Sequence, residues 1–306
     1  MHSRRHFVQR SAAIAALAAL LPGLPLSALA ANSLLRRRIG SSGEWLPVIG
    51  LGTSRTHDVA LDEASLEPLL EVLRTLVNGG ASLIDTAPSY GRAEAVCGAL
   101  AARSGLRERL FLASKVSASG REAGARQIEA SFRALQTDRI DLIQVHNLQD
   151  TATQLGLLRE LKEQGRVRYI GVTHYLESAH ERLLEVLHQE PVDFVQFNYS
   201  VGERNAEQRL LPYCADQGIA VLINRPFQRA ALFQRVRGKA LPDWATVELD
   251  AGSWAQLLLK YILAHPAVTA VIPATSRPRN MADNLLAGHG RLPNAAQRQR
   301  IIELFA

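Results

Sequence analysis

An alternation along the chain limits its fold more than any other feature. Seven short apolar runs, SLIDTA, LFLASKV, DLIQVH, VRYIGV, DFVQFNY, IAVLINRP and TAVIPAT, are separated by segments such as LEPLLEVLRTLVNGG and TQLGLLRELKEQG, whose apolar residues recur every three or four positions. The short runs read as strands and the three-to-four spacing as amphipathic helix. With a strand around Val48 to Leu51 counted first, the repeat closes at eight. Near-continuous Val, Ile and Leu in the runs implies strands buried on both faces, as parallel sheets require. The expectation is an α/β fold, a (β/α)8 TIM barrel. A short N-terminal β-hairpin over Arg36 to Gly52, turning at Ser42-Gly43, leads into it. Gly79, Gly165 and Gly218 each stand just past a helical run, where a helix terminator belongs. An open doubly wound sheet would carry a GxGxxG turn after an early strand, and the sequence contains none.

Length agrees with that reading, since 306 residues at 47% apolar content can bury one large core. Three of the six net positive charges come from Arg4, Arg5 and Arg10. These belong to a stretch with the order of an export signal: SRRHFVQ, an apolar run from Ala12 to Leu21, then Ala28-Leu29-Ala30 as a small-x-small cleavage site. Pro22 and Pro25 interrupt the apolar run and leave it short of a membrane span, so no stable membrane insertion is expected after cleavage. Residues 1–30 therefore read as a twin-arginine signal cleaved after Ala30. Residues 31–306 read as the mature barrel, carried folded to the periplasm by the twin-arginine export machinery. Arg36, Arg37 and Arg38 lack the interleaved aromatics of a nucleic-acid platform and read as a solvated face. Cys97 and Cys214 read as two free thiols, and His174 and His180 lack the spacing and third ligand of a zinc site, so no metal is expected.

The ends of three consecutive strands break the apolar pattern. SLID closes on Asp85, FLASK on Lys115 and DLIQVH on His146, and Tyr90 follows Asp85 across the turn APSYG. Parallel strands of a barrel present their carboxyl ends at one mouth, where sites are assembled. A lysine ending a buried strand needs a counter-charge, for which Asp85 is the candidate. The ammonium would lower the pKa of the Tyr90 phenol, making it a usable general acid, while His146 would orient a carbonyl oxygen. The long connection from about Gln228 to Gly252, with Trp244, is expected to wall the substrate pocket. His146 runs quickly into the next helix and no long terminal flap follows IIELFA, so the pocket is expected to be open on one side.

Asp85, Tyr90, Lys115 and His146, set in DTAPSYG, SKV and QVHN, resemble the tetrad of the aldo-keto reductases. GLGT, GVTHY, DFVQFNY and IPATSRPRNMADNL fall in that family's order, and the resemblance runs from about Leu35 to Leu286. It implies a nicotinamide cofactor extended over the barrel mouth, hydride transfer to a small-molecule carbonyl or from an alcohol, and Tyr90 as proton donor. By the same resemblance Thr53 and Asp85 border the cofactor, and Thr173, His174 and Gln196 contact the nicotinamide carboxamide. Asn224, Arg225, Pro226 and Phe227 would then lie along the ring and pyrophosphate, with Thr275, Ser276, Arg277, Asn280 and Asn284 at the adenosine end. A helix opening after the eighth strand independently favours phosphate there. NADP(H) is expected ahead of NAD(H), because Arg277 and Arg279 flank Pro278 and could pair with a ribose 2′-phosphate. Asn224 stands where many members of the family have an aromatic residue, and His174 where they have Asn. Two other classes are open at this stage: a nucleotide-binding, redox-responsive partner protein with little turnover, and a lyase or aldolase forming a Schiff base on Lys115.

Overall fold

The computed structural model describes residues 33–306. The reading of residues 1–30 as a signal lies outside the described residues. The chain opens with an antiparallel hairpin of β1 (Arg36–Arg38) and β2 (Trp45–Pro47). Eight parallel strands follow: β3 (Leu51–Gly52), β4 (Leu83–Asp85), β5 (Phe111–Val116), β6 (Ile140–His146), β7 (Val167–Thr173), β8 (Phe194–Asn198), β9 (Ala220–Asn224) and β10 (Ala270–Val271). They pair in sequence order. Parallel bridges Ile49 to Val271 and Gly52 to Ala274 bring the first strand against the last and close the barrel.

Strand alternation sorts the side chains. On β5, Phe111 and Ala113 face the barrel interior with Leu142, Tyr169, Phe194 and Leu222 from other strands and Ile272 just past β10, and Ile39, after β1, and Leu46 of β2 join this inner cluster. Tyr169 and Phe194 meet edge-to-face with centroids 5.5 Å apart. Leu112 and Val116 of the same strand point outward into the larger cluster shared with the helices. There the helix Glu63–Asn78 supplies Leu66, Leu69, Leu70, Leu73, Leu76 and Val77, whose three-to-four spacing puts them on one face. Each such side chain contributes roughly 1.5–3 kcal/mol by burial. At the hairpin end, Arg168 links Asp141 (2.7 Å) to Glu44, tying the hairpin to the strands.

One expectation about local structure is refined, since Gly79 does terminate its helix, and one is corrected. Gly79 caps the helix Glu63–Asn78 with φ −77, and the left-handed residue that turns the chain is Gly80, φ +85. Gly79 is small for a different reason: a Cβ there would lie 2.5 Å from Leu285 Cδ1. Gly165 and Gly218 do adopt left-handed conformations, φ 73 and 63. The connection after β9 is folded into short helices, Ala231–Arg235 and Asp243–Leu249, and Trp244 does not wall the mouth. Its ring lies under the Arg300 guanidinium, 4.1 Å away, against the C-terminal helix Ala295–Glu303. Only the start of that connection, at Arg229, Ala230 and Phe233, reaches the cavity at the barrel mouth.

Candidate active site

Alternation carries three polar side chains to the carboxyl ends of neighbouring strands inside the barrel. Counting inward positions up β5 gives Phe111, Ala113 and then Lys115; up β6 it gives Leu142, Gln144 and His146. Asp85, at the end of β4, is the register partner of Ala113, two residues before Lys115. The inner wall thus changes from apolar to polar at its top layer, where the carboxyl ends of the strands open.

Lys115 is 1% exposed, and its ammonium donates to Asp85 Oδ1 and to the Thr86 carbonyl, each at 2.7 Å. Asp85 is itself 2% exposed, and its second oxygen accepts from Gln196 Nε2 at 2.8 Å and Gln144 Nε2 at 3.4 Å. Burial alone would lower the Lys115 pKa, but the charge of Asp85, assisted by Tyr90, outweighs it and raises the value above that of a free lysine. The lysine is held as a cation in an apolar wall.

Tyr90 stands on the turn after β4, its ring centroid 5.0 Å from Lys115 Nζ and 6.0 Å from the His146 ring, edge-on at 82°. Gly91 beside it has φ +64, and a Cβ there would run into the Asp58 carboxylate at 2.4 Å. Asp58 instead accepts from Arg92 N (3.1 Å) and Nε (3.2 Å), which pins the turn. The expected lowering of the Tyr90 pKa is corrected. Burial raises it, and the lowering by Lys115 does not overcome burial together with the Asp85 charge. With burial the larger effect, Tyr90 is a protonated phenol at neutral pH.

His146 is 8% exposed and lies 3.4 Å, through Nδ1, from Ser89 Oγ. Burial, with Lys115 and then His174 as neighbouring positive charges, pushes its pKa down to about 3. It is therefore a neutral imidazole. In the tautomer whose Nδ1 accepts from Ser89, Nε2 carries the proton and is a donor.

A cavity of about 770 Å³ opens over this group. Thr53, Asp85, Tyr90, His146, Thr173, Gln196, Asn224, Arg225, Pro226 and Phe227 all line it. Thr53 is buried, its N–H and hydroxyl both donating to the Asp85 carbonyl (3.0 and 2.9 Å). Other positions suggested by the resemblance lie differently. His174 is outside the lining; its Nδ1 accepts from Leu176 N at 3.2 Å and its ring stacks on Tyr175. Thr275, Ser276, Arg277, Asn280 and Asn284 lie beyond the cavity wall, at the junction of β10 with the helix Pro278–Leu286. There Thr275 Oγ1 accepts from Arg277 N, 3.1 Å, while Ser276, Arg277 and Asn280 are exposed. Both ends of the Gln196 amide are engaged: besides donating to Asp85 it accepts from Thr173 Oγ1 (3.2 Å) and Asn224 Nδ2 (3.3 Å). Asn224 Oδ1 and Arg225 Nε, by contrast, are buried at the mouth with no hydrogen-bond partner among the described residues.

Several contributors were not read from the sequence. Gln144 was detectable, since it lies two residues before His146 and so shares its inward face. The other is backbone strain. Of the ten non-glycine residues with positive φ among the described residues, eight are in mouth loops: Arg55 after β3; Asn147, Leu148 and Asp150 after β6; and Arg225, Gln228, Arg229 and Ala230 after β9. Left-handed conformations cost such residues roughly 1–2 kcal/mol each. Strain of this kind clusters at functional sites. No local sequence pattern announces it.

Comparison with known proteins agrees with this geometry. The model of the Aldo/keto reductase family matches residues 48–301. The methylglyoxal reductase YeaE of Escherichia coli (strain K12) is 32% identical over 241 residues, covering 76% of this chain and 82% of that protein. Among solved structures, a Klebsiella pneumoniae aldo/keto reductase in complex with NADP and acetate superposes with a TM-score of 0.73 at 25% identity, covering 87% of this chain and 94% of the other. A Klebsiella pneumoniae aldo-keto reductase in complex with NADPH gives 0.72 at 26% identity, covering 89% and 95%. A barrel whose polar top layer, chain-long family match and relatives all coincide leaves one assignment: the chain belongs to the aldo/keto reductase family.

Proposed function

We propose that the protein is an NADP(H)-dependent oxidoreductase that interconverts a carbonyl compound and its alcohol, with Tyr90 as the proton donor in the reducing direction. The observation that carries this reading is the meeting of a protonated phenol, a buried ammonium held by a carboxylate and a neutral imidazole at one mouth. Bound reduced nicotinamide supplies the hydride. As charge develops on the carbonyl oxygen, Tyr90 gives up its phenolic proton, and the Lys115 ammonium beside the ring stabilises the phenolate that results. His146, neutral, fixes the same oxygen through Nε2 in the tautomer whose Nδ1 accepts from Ser89. Asp85 keeps Lys115 charged, and Gln196 and Gln144 keep Asp85 in place. A Schiff-base role for Lys115 is disfavoured, because that nitrogen is a buried cation whose protons are engaged.

The residues present fit a nicotinamide cofactor. Asn224 Oδ1 is an unpartnered acceptor at the mouth, suited to a carboxamide N–H, whereas Gln196 and Thr173 are occupied with each other and with Asp85. Arg225 Nε is an unpartnered donor on the β9 side, suited to a pyrophosphate. Thr275, Ser276, Arg277, Asn280 and Asn284 would hold the adenosine end, and exposed Arg277 and Arg279 favour a 2′-phosphate. NADP and NADPH in the Klebsiella neighbours point the same way. A fluorescence titration with NADPH and NADH, followed by a panel of aldehydes and ketones read at the nicotinamide absorbance, tests the reading. Tighter binding of NADPH and turnover of at least one carbonyl are expected; absence of cofactor binding refutes it.

The proposed export of this barrel rests on residues 1–30 alone. Replacing Arg4 and Arg5 by Lys in the full chain should retain the protein in the cytoplasmic fraction, and an unchanged distribution would refute a twin-arginine route.

A further inference from the structure

Three arginines line the cavity: Arg55 after β3, and Arg225 and Arg229 after β9. Among the described residues none of them pairs with a carboxylate. The two acids in the same lining are already engaged, Asp85 with Lys115 and Asp58 with Arg92. The mouth therefore carries positive charge that the protein does not neutralise, a complement to an anion.

The arginines divide by side. Arg225 and Arg229 gather over Tyr175: Arg225 donates to the Tyr175 carbonyl at 3.0 Å, and the two guanidiniums lie 5.7 and 6.0 Å from its ring centroid. That is the β9 side, where the preceding reading puts the pyrophosphate. Arg55 is on the β3 loop, next to the Tyr90 turn. Its backbone is left-handed, φ 65, inside a turn where Thr56 N and His57 N both donate to the Thr53 carbonyl at 3.1 Å. Thr53 is in turn bonded to the Asp85 carbonyl, and Asp58, three residues past Arg55, holds Arg92. The Arg55 loop is thus anchored on both flanks to elements that carry the reacting groups.

We infer that the carbonyl compound taken by this site bears an anionic group, a carboxylate or a phosphate, and that Arg55 receives it. The inference rests on the oxidoreductase reading above and names the substrate class for it. A guanidinium fork matches either anion, and it would orient the carbonyl from the far end while Tyr90 and His146 hold the oxygen. Phe227 and Phe233, 4.8 Å apart, give the cavity an apolar wall for the carbon skeleton between.

The test compares 4-oxobutanoate with its methyl ester, in which the charge is removed and the aldehyde kept. Each is reduced with one NADPH and one proton to its 4-hydroxy product. The unaltered enzyme should prefer the acid in kcat/KM. In Arg55→Met the acid-to-ester ratio should fall about ten- to a hundredfold, the reach of one charge-assisted hydrogen bond. Arg55→Lys should fall between. A ratio unmoved in Arg55→Met overturns the inference. So does an equal loss on both substrates accompanied by weaker NADPH binding, which would assign Arg55 to the cofactor. Calorimetric binding of 4-hydroxybutanoate to the NADP⁺ complex separates this claim from the reading beneath it. Binding that disappears in Arg55→Met supports the anion site even if neither aldehyde turns over; no binding to the unaltered protein sinks it.

Discussion

Lys115→Met removes one charge from a pair that is almost wholly buried, and the structure sets what should follow. The Asp85 carboxylate would keep Gln196 at 2.8 Å and Gln144 at 3.4 Å, but lose the ammonium on Oδ1 and remain 2% exposed. Breaking a buried ion pair on one side costs about 3–5 kcal/mol, because the remaining charge is uncompensated. Neutralising both sides with Lys115→Met and Asp85→Asn together removes that charge, so the double variant should recover most of the loss. The pH dependence gives the sign independently. In the single variant the folded state gains by taking up a proton before the unfolded chain does, so its stability should rise as pH falls from 7 toward 5, by at most about 1.4 kcal/mol per unit for one proton. Urea denaturation of all three proteins, at pH 7 and pH 5, reads both effects as midpoint shifts. If the single and double variants lose the same stability, and neither changes with pH, the buried carboxylate is not the charge that Lys115 compensates.

Other consequences can be read in the same way. His57 is 1% exposed, and burial lowers its pKa from 6.5 to about 4, so the unfolded chain takes up its proton first on acidification. Stability from this group is present above pH 6.5 and lost as pH falls toward 4, amounting to roughly 2 kcal/mol by pH 5. His57→Gln should flatten the urea-midpoint profile over that window; an unchanged slope would show that His57 is not the group responsible. Ala230 has φ 74 in the strained loop after β9. Ala230→Gly should leave the melting temperature level or slightly higher, while Ala230→Val should lower stability by about 1–2 kcal/mol. A thermal melt in which Val is the better tolerated would contradict the strain at that position.

How much was legible depends on which physical quantity carries the information. The barrel was written in the alternation of strand and helix periods, and Asp85, Lys115 and His146 stood out because each is a polar residue closing an apolar run on a neighbouring strand. The same period of two would have delivered Gln144. What could not be read was any sum over distant atoms. The direction of the Tyr90 shift depends on burial weighed against two opposite charges, all set by packing. Trp244 looked like a pocket wall because its segment is long, but the segment folds into helices and Trp244 finds Arg300 from the far end of the chain. Gln196 fits its expected place by motif, yet its amide is taken up by Asp85, Thr173 and Asn224, contacts between strand ends that no local spacing reveals. Left-handed Arg55 and Ala230 are likewise imposed by the loops around them.

The central claim is that Tyr90 delivers a proton to an oxygen as that oxygen gains charge. The direct test is Tyr90→Phe, measured as single-turnover reduction with NADPH and as equilibrium binding of the same cofactor. The account predicts cofactor affinity close to that of the unaltered protein and a hydride-transfer rate about 10²–10⁴-fold lower. A rate within a few-fold of the original, with the cofactor bound as before, would mean that the proton comes from elsewhere.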